Sequence, residues 1–447
     1  MRLWMNSSYI EKGDCFLVCK DNEKYVRDAM NKGASKIITE LDETYEVETI
    51  KVNSIKDYLY NEHKDKINKL KIIGITGTNG KTTTCYLIYQ MLQKLGVNAC
   101  YIGTIGFYIN DKVYSLENTT PSMDFLYNIL SYASDKKTKV VVMEVSSHSL
   151  KQDRIYGLLF DAIGITNITL DHLDYHITMD DYIDSKKRLI DLTKDEKICV
   201  LNKYDKHYKK FINKYNNNFI IGKDIKIKKI KALAKSTHVV IKDQRKIDFD
   251  INLVGKFNSY NFLMAYKIVK ELGYDIYDFV IRKSLDFTEP VGRMQKIYHN
   301  SNVIFIDYAH TPDAVQNVLK TVNKIKNNEI ITIIGCGGNR DKSKRNIMGK
   351  IACKYSDYVI FTNDNPRGED EKEIISDILN GAKGKYEVIY DRLEAIKKGI
   401  TLLNKNMILM ILGKGHENYQ IIGDNKFYFS DYESVIDIIN SNTSISS

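Results

Sequence analysis

The sequence predicts an α/β protein of three units, and three observations carry that prediction. Short apolar runs rich in Ile and Val recur along the chain, and most lead into a polar or glycine-rich loop and then a helical pattern. Strands that alternate with helices build a mostly parallel sheet covered by helices, because a parallel crossover needs a long connection to return the chain. The chain is 447 residues long, which corresponds to about three domains of ordinary size. Finally, one strand–turn–helix unit near residue 74 has the order of a phosphate-binding loop.

Residues 1–68 form a small N-terminal α/β unit, with a strand over 14–19, a helix over 24–32 and a second strand over 35–39. From 69 to 297 strands and helices alternate, the pattern of a mostly parallel sheet. A third α/β unit over 298–447 carries apolar strands at 303–306, 330–334, 358–361, 387–389 and 407–412. No internal repeat is present, and the Ser- and Asn-rich stretch 441–447 reads as a frayed tail.

Composition narrows the function. Hydrophobic residues make up 43% of the chain, enough for several cores, yet no stretch approaches the roughly 18 apolar residues of a membrane span. The first residues lack the apolar run of a signal peptide, and seven cysteines show no metal-ligand spacing. Free thiols in a reducing cytoplasm are the expectation. The net charge of +9 is spread through the chain except at 223–231, which alternates as a solvated strand would. An anionic small substrate accounts for this charge as well as nucleic acid does. The expected partners are therefore small molecules, with no nucleic acid and no membrane, and the expected state is a monomer.

The strongest local signal is Gly74-Ile75-Thr76-Gly77-Thr78-Asn79-Gly80-Lys81-Thr82-Thr83. Lys71-Ile72-Ile73 leads in as a buried strand. A helix follows with Leu87, Ile88, Met91, Leu92 and Leu95 on one face and Gly96 as its stop. Glycines let backbone N–H groups turn toward phosphate oxygens at the positive end of the helix dipole. Lys81 is placed to neutralise the outer phosphates and the Thr82 hydroxyl to hold Mg2+. The strict P-loop pattern fails only at Ile75, where it requires Gly; a merely structural turn is the alternative.

Further signals sit after the strands, where ligands gather in open parallel sheets. Residues 140–143 deliver Glu144, then Ser146, Ser147 and His148. Residues 163–165 deliver Asn167, Thr169, Asp171, His172, Asp174 and His176. Such oxygen and imidazole donors suit Mg2+ beside phosphates, and a hydrogen-bonded capped loop is the alternative. In the third unit, strands end in Asp307-Tyr308-Ala309-His310-Thr311-Pro312-Asp313, Gly335-Cys336-Gly337-Gly338-Asn339-Arg340-Asp341, Asp364-Asn365-Pro366-Arg367 and Gly413-Lys414-Gly415-His416-Glu417. Four such loops at strand ends would build one polar cleft.

Taken in order, these segments resemble the Mur ligases, and within them the branch that adds the third residue of the peptidoglycan peptide. The resemblance rests also on Asn118-Thr119-Thr120-Pro121, Asp171-His172-Leu173-Asp174-Tyr175-His176, Gly255-Lys256-Phe257-Asn258-Ser259-Tyr260-Asn261 and Gly292-Arg293, and it covers nearly the whole chain. It implies a small N-terminal domain for the UDP-linked substrate, a central P-loop parallel-sheet ATPase domain and a C-terminal Rossmann-like domain for the incoming amino acid. It also implies that ATP phosphorylates the terminal carboxylate of UDP-N-acetylmuramoyl-L-alanyl-D-glutamate and that an amine then attacks the acyl phosphate.

The resemblance assigns roles to residues. Gly77, Thr78, Asn79, Gly80, Lys81, Thr82 and Thr83, with Asn258, Asn261, Arg293 and Asp307, would hold ATP. Lys81, Glu144, His172 and Lys186 would be catalytic, and Thr82, Glu144, His172 and a carbamylated Lys186 would hold Mg2+. Ser7, Thr119, Thr120, Ser147 and Arg154 would bind the UDP-substrate. Asp364, Asn365, Pro366, Arg367, Gly413 and Glu417 would bind the amino acid. The Arg367 fork suits a second carboxylate, so meso-diaminopimelate is expected rather than L-lysine.

The chain departs from the family in places. Its phosphate loop begins early, at residue 74, so the first domain is abbreviated. Asn6-Ser7-Ser8 stands where the family has Asp-Ser-Arg, a His-Gly pair is missing before Tyr25, and Asn339 and Asn346 replace a usual Asp and Pro. A paralogue acting on another acyl substrate, and a non-enzymatic nucleotide-binding protein, are the alternatives.

Overall fold

The computed structural model describes residues 2–171, 173–212 and 217–444. Among them, the strands form three sheets that carry the three units, together with two small antiparallel sheets. The N-terminal sheet is parallel, in the order Leu3–Trp4, Cys15–Val18, Lys36–Thr39, Glu48–Lys51. The first and last of these were not legible, one being two residues long and the other half-exposed without an apolar run. The helix expected over 24–32 is a 3-10 turn, Glu23–Tyr25, followed by the short helix Val26–Asn31. A longer helix, Ile55–Ile67, starts where the Ser54 side chain accepts from Asp57 N–H. It buries Ile55, Leu59 and Ile67 and packs on the central helix Met123–Asp135.

The central sheet has eight strands, in the order Asn217–Ile221, Thr193–Asn202, Phe160–Ile165, Lys71–Thr76, Val140–Glu144, Ala99–Gly103, Gly106–Ile109, Lys112–Tyr114. All pairings are parallel except the last two. Lys71–Thr76 sits in the interior of this sheet, which explains its continuous apolar run. The helices Lys81–Lys94 and Lys256–Glu271 pack together against it, so the phosphate loop and the Asn258–Asn261 turn of helix are neighbours.

One stretch departs from the alternating pattern. Lys226–Ala232, Thr237–Asp243 and Arg245–Ile251 form a separate antiparallel sheet. The basic tract is its solvated edge strand, where lysines discourage pairing with another chain.

The C-terminal sheet runs in the order Gln295–His299, Asn302–Asp307, Ile408–Leu412, Ile330–Ile334, Tyr358–Phe361, Tyr386–Val388, parallel apart from the first strand. That first strand spans the division expected at residue 297 and pairs along its length with Asn302–Asp307. The carboxyl ends of the site-bearing strands are locked together by Arg392. This wholly buried guanidinium makes two bonds to Asp431, at 2.7 and 2.8 Å, and donates to Leu412 O at 3.0 Å and Asn363 O at 3.3 Å. Breaking such a buried pair costs about 3–5 kcal/mol, so these two loop origins are held firmly.

Candidate active site

A cavity of about 500 Å³ lies between the central and C-terminal units. Thr78, Asn79, Gly80, Lys81, Thr82, Thr83, Asn258, Asn261, Arg293 and Asp307 all line it, as do Glu144 and Asp171. The single mismatch in the loop pattern has a structural reason. Ile75 is still inside the strand, opposite Glu144 and wholly buried in the core, so no turn is needed there. The turn comes later, at Gly80, whose φ of +87° is left-handed and whose Cα meets Asn261 Oδ1 so closely that a Cβ would lie 2.4 Å from it.

Lys81 folds back onto its own loop, donating to Gly77 O at 2.9 Å and Thr78 O at 2.8 Å. Desolvation draws its pKa down, against the pull of Glu144 and Asp171. Phosphate oxygens would offer it stronger, charge-assisted bonds than these carbonyls.

Glu144 is buried and accepts from Thr82 Oγ1 at 2.9 Å, Tyr101 OH at 2.5 Å, Thr104 N at 2.8 Å and Thr104 Oγ1 at 3.1 Å. The Thr82 hydroxyl and the Glu144 carboxylate are hard oxygen donors side by side at the loop, a set that suits Mg2+. Thr104 and Tyr101 were missed in the sequence reading; the strand-end rule points to Thr104, which follows Ala99–Gly103. His172 lies outside the described residues. Among the described residues no group of three or more His, Cys, Asp or Glu is arranged to hold a metal.

Lys186, on the helix Met179–Asp191, is 1% exposed and donates to Gly77 O at 3.0 Å. Burial holds its pKa well below the ordinary amine value, and the charge of Lys81 pushes the same way. Asp171 opposes the shift, and both burial and Lys81 favour the neutral amine over the ammonium at this position. A lysine on a helix is ordinarily solvated, whereas this one is sealed from solvent.

The C-terminal unit closes the cavity. Asp313, in the first turn of the helix Pro312–Ile325, accepts from Asn79 Nδ2 at 3.0 Å and Thr169 Oγ1 at 3.2 Å. Asp307 accepts from Met294 N at 2.7 Å and Ala309 N at 2.8 Å, and burial raises its pKa. The Arg293 guanidinium stands 4.5 Å from the centre of the Tyr308 ring, and its buried Nε has no hydrogen-bond partner among the described residues. Asn258 donates to Val254 O and accepts from Asn261 Nδ2, which leaves Asn261 Oδ1 facing the loop.

The loops that begin at Asp364 and Gly413 come together. Asn365 Nδ2 donates to Glu417 Oε2 at 3.0 Å and Asn365 Oδ1 accepts from Lys414 Nζ at 3.1 Å. Asp364 lies 3.7 Å from Lys414, and a Cβ on Gly413 would meet its carboxylate. Burial and the charge of Asp364 raise the Glu417 pKa, with Lys414 opposing. Pro366 carries the chain to Arg367, whose Nη1 donates to Gly338 O at 2.9 Å. Lys414, wholly buried, is a further charge in this group.

The residues expected at the UDP end are more scattered. Thr119 Oγ1 is 3.0 Å from Thr104 Oγ1, beside the cavity. The Thr120 hydroxyl is used internally, donating to Glu144 O and accepting from Ser146 N, and Arg154 Nη1 donates to Thr120 O at 2.8 Å. Ser147 is 2.9 Å from His176 Nε2, and His176 Nδ1 is 3.3 Å from Asp181. Ser7 is buried, bonded to Asp28, and lines neither this cavity nor a second one of about 160 Å³. The lining of that second cavity includes Tyr9, Glu117, Asn118, Pro121 and Phe125, of which Asn118 and Pro121 belong to a motif read from sequence.

Known proteins resemble this chain over most of its length. The chain matches the Mur ligase middle domain over residues 75–269 and the Mur ligase glutamate ligase domain over residues 292–415. A protein of Aquifex aeolicus named UDP-N-acetylmuramoyl-L-alanyl-D-glutamate--2,6-diaminopimelate ligase is 38% identical over 97% of this chain and 92% of its own length. One of the same name from Fusobacterium nucleatum is 38% identical over 92% of this chain and 87% of its own. A solved structure of a ligase of that name is 29% identical, with a TM-score of 0.68, covering 99% of this chain and 95% of that one. The MurF ligase of Thermotoga maritima in complex with ADP has the same fold, with a TM-score of 0.71 at 17% identity over 100% of this chain and 98% of that one.

Proposed function

The chain belongs to the Mur ligase family, and from that premise we propose a role for each part of its cleft. It is an ATP-dependent, ADP-forming ligase of peptidoglycan synthesis that adds meso-diaminopimelate to UDP-N-acetylmuramoyl-L-alanyl-D-glutamate. The observation that carries the residue assignments is the direct contact of phosphate loop and C-terminal unit, Asn79 to Asp313 at 3.0 Å. It supports a single cleft in which phosphoryl transfer and amine attack follow one another.

A terminal carboxylate oxygen of the dipeptide attacks the γ-phosphorus of ATP, the bond to the β-bridging oxygen breaks, and ADP leaves. The incoming amine then attacks the acyl carbon, phosphate departs with the former carboxylate oxygen, and the amine loses a proton. Carboxylate oxygen is a poor leaving group and phosphate a good one, so one hard step becomes two easier ones. Residues 77–83 cradle the phosphates and Lys81 neutralises their outer charge, the kind of preorganised electrostatics that dominates phosphoryl transfer. Arg293, Asp307, Asn258 and Asn261 hold the nucleotide from the domain border. Thr82 and Glu144, with His172, would hold Mg2+, which would supply charge neutralisation at the phosphates. Lys186, buried beside Gly77 O, would carry the carbamate, which would supply an additional negative charge for holding Mg2+.

Thr119, Thr120, Ser147 and Arg154 hold the acyl substrate, with Ser7 and the second cavity toward its UDP end. The domains divide near 68, and just before Gln295, since the strand beginning there pairs with the C-terminal sheet. The protein works as a cytoplasmic monomer without a nucleic-acid partner; among the described residues no helix is long and apolar enough to cross a membrane.

In the amino-acid site, Arg367 pairs with the carboxylate beside the distal ammonium of diaminopimelate and Glu417 with the ammonium. Lysine would leave Arg367 unpaired, a cost of roughly 2–5 kcal/mol. Phosphate release with the UDP-dipeptide should therefore depend on diaminopimelate, with lysine at least about 30-fold poorer in kcat/KM. Arg367→Ala should remove that preference. Equal use of both amino acids by the native enzyme overturns the assignment.

A further inference from the structure

The Arg367 guanidinium lies against a glycine on another loop, Gly337. Arg367 is a non-glycine residue at a φ of +54°, and its backbone is clamped by the hairpin strand Tyr419–Ile422 and the turn after it. Its N–H donates to Ile421 O at 3.0 Å, and its carbonyl accepts from Gly423 N at 2.7 Å. The side chain then folds back over residues 337–338. Nη1 donates to Gly338 O at 2.9 Å and to Asn365 O at 3.3 Å. Among the described residues no protein atom bonds the Nε–Nη2 edge, and that edge is the two-donor fork that grips a carboxylate.

The carbonyl floor under the guanidinium is itself held from behind. Arg345, wholly buried, donates through Nη2 to Gly337 O at 3.2 Å and pairs with Glu369 and Asp377, each at 2.9 Å. Gly338 N donates to Asn365 O at 2.9 Å. Against this floor the guanidinium comes so near Gly337 that a Cβ there would lie 2.9 Å from Nη1. No side chain at 337 is compatible with the observed position.

We infer that Gly337 is a positioning residue for amino-acid specificity: its bare Cα is the seat that holds the Arg367 guanidinium with its fork edge free. The inference rests on the reading of Arg367 as the partner of the distal carboxylate. The two glycines of this loop differ in a useful way. At Gly338 a Cβ would fall 1.8 Å from Pro366 O, a backbone clash that only a rebuilt loop relieves. At Gly337 the clash is with the tip of a flexible side chain, so alanine is accommodated by moving Arg367 and leaves the fold alone.

The experiment compares wild type, Gly337→Ala, Arg367→Ala and the double variant in steady-state kinetics and thermal melting. Gly337→Ala should raise KM for diaminopimelate about tenfold or more, since a misplacement of about 1 Å at a binding group carries effects of up to about 10²-fold. KM for ATP and for the UDP-dipeptide, and Tm, should stay as in wild type. In the Arg367→Ala background the glycine substitution should add nothing, because both remove one interaction. An unchanged KM for diaminopimelate in Gly337→Ala, beside a large change in Arg367→Ala, overturns the inference alone. A large loss of Tm in Gly337→Ala also overturns it, since the seat would then be a packing contact. If Arg367→Ala itself leaves the diaminopimelate preference intact, the reading of Arg367 falls first and the seat with it.

Discussion

The cleft between the central and C-terminal units and the small cavity beside the N-terminal unit are built on different principles. In the cleft, charges are held by other charges and by buried hydrogen bonds. Glu144 has four donors, Lys414 stands between Asp364 and Glu417, and Arg392 pins two strand ends. The small cavity's lining includes Tyr9, Phe125, Asn118, Pro121 and Glu117, and Tyr9 packs edge-on against Phe125 with ring centres 5.5 Å apart. Phosphoryl transfer needs charge fixed at set points, and mobile charges would spend their energy in reorganisation. Holding the far end of a nucleotide sugar needs surface and a few polar groups, which many residue combinations supply. The first region is accordingly lined by residues of several recognisable motifs, and the second takes only Asn118 and Pro121 from one.

Three substitutions sharpen or break this contrast, the largest expected effect first. Lys81→Ala removes neutralisation of the outer phosphates and should lower kcat by about 10²-fold or more, measured by phosphate release at saturating ATP. Near-normal turnover would mean that the cleft does not work through fixed charge. Lys186→Ala should lower activity by about 10- to 100-fold, the scale of a lost group supporting a bound ion. A small carboxylate such as acetate should restore part of it by filling the anionic position, and full activity after removal of CO2 would count against a carbamate there. Tyr9→Leu is the mild case. Loss of its aromatic contacts, worth about 0.5–1.5 kcal/mol, should raise KM for the UDP-dipeptide roughly two- to tenfold and leave kcat and KM for ATP unchanged. A kcat effect as large as that of Lys81→Ala would erase the distinction between the two regions.

Much of the architecture was legible because it is local. The buried strand Lys71–Thr76, the helix Lys81–Lys94 and the apolar strands of the C-terminal sheet each announce themselves within a short window of residues. So does the placing of Lys81, Glu144 and Asp307 at strand ends, since a ligand-facing loop follows directly from the strand before it. Lys186 shows where that reading stops. Its helix is visible in the sequence, but whether its face is solvated or sealed depends on Gly77 O, which is 109 residues away.

By itself the sequence determined the fold class, the order of the three units and the phosphate loop with its acidic partner, because periodicity and glycine spacing are properties of neighbouring residues. Only the tertiary structure decided which groups meet across the chain. Thr104 and Tyr101 converge on Glu144, Asp313 reaches Asn79 from a separation of 234 residues, and Gly337 seats the guanidinium of Arg367. The strand-end rule marks the loops that carry Thr104, Asp313 and Gly337, but nothing local says which distant group each of them meets. Their roles arise when packing removes water and brings together side chains that the sequence keeps far apart, since charge, hydrogen bonding and close contact all act through distance in space.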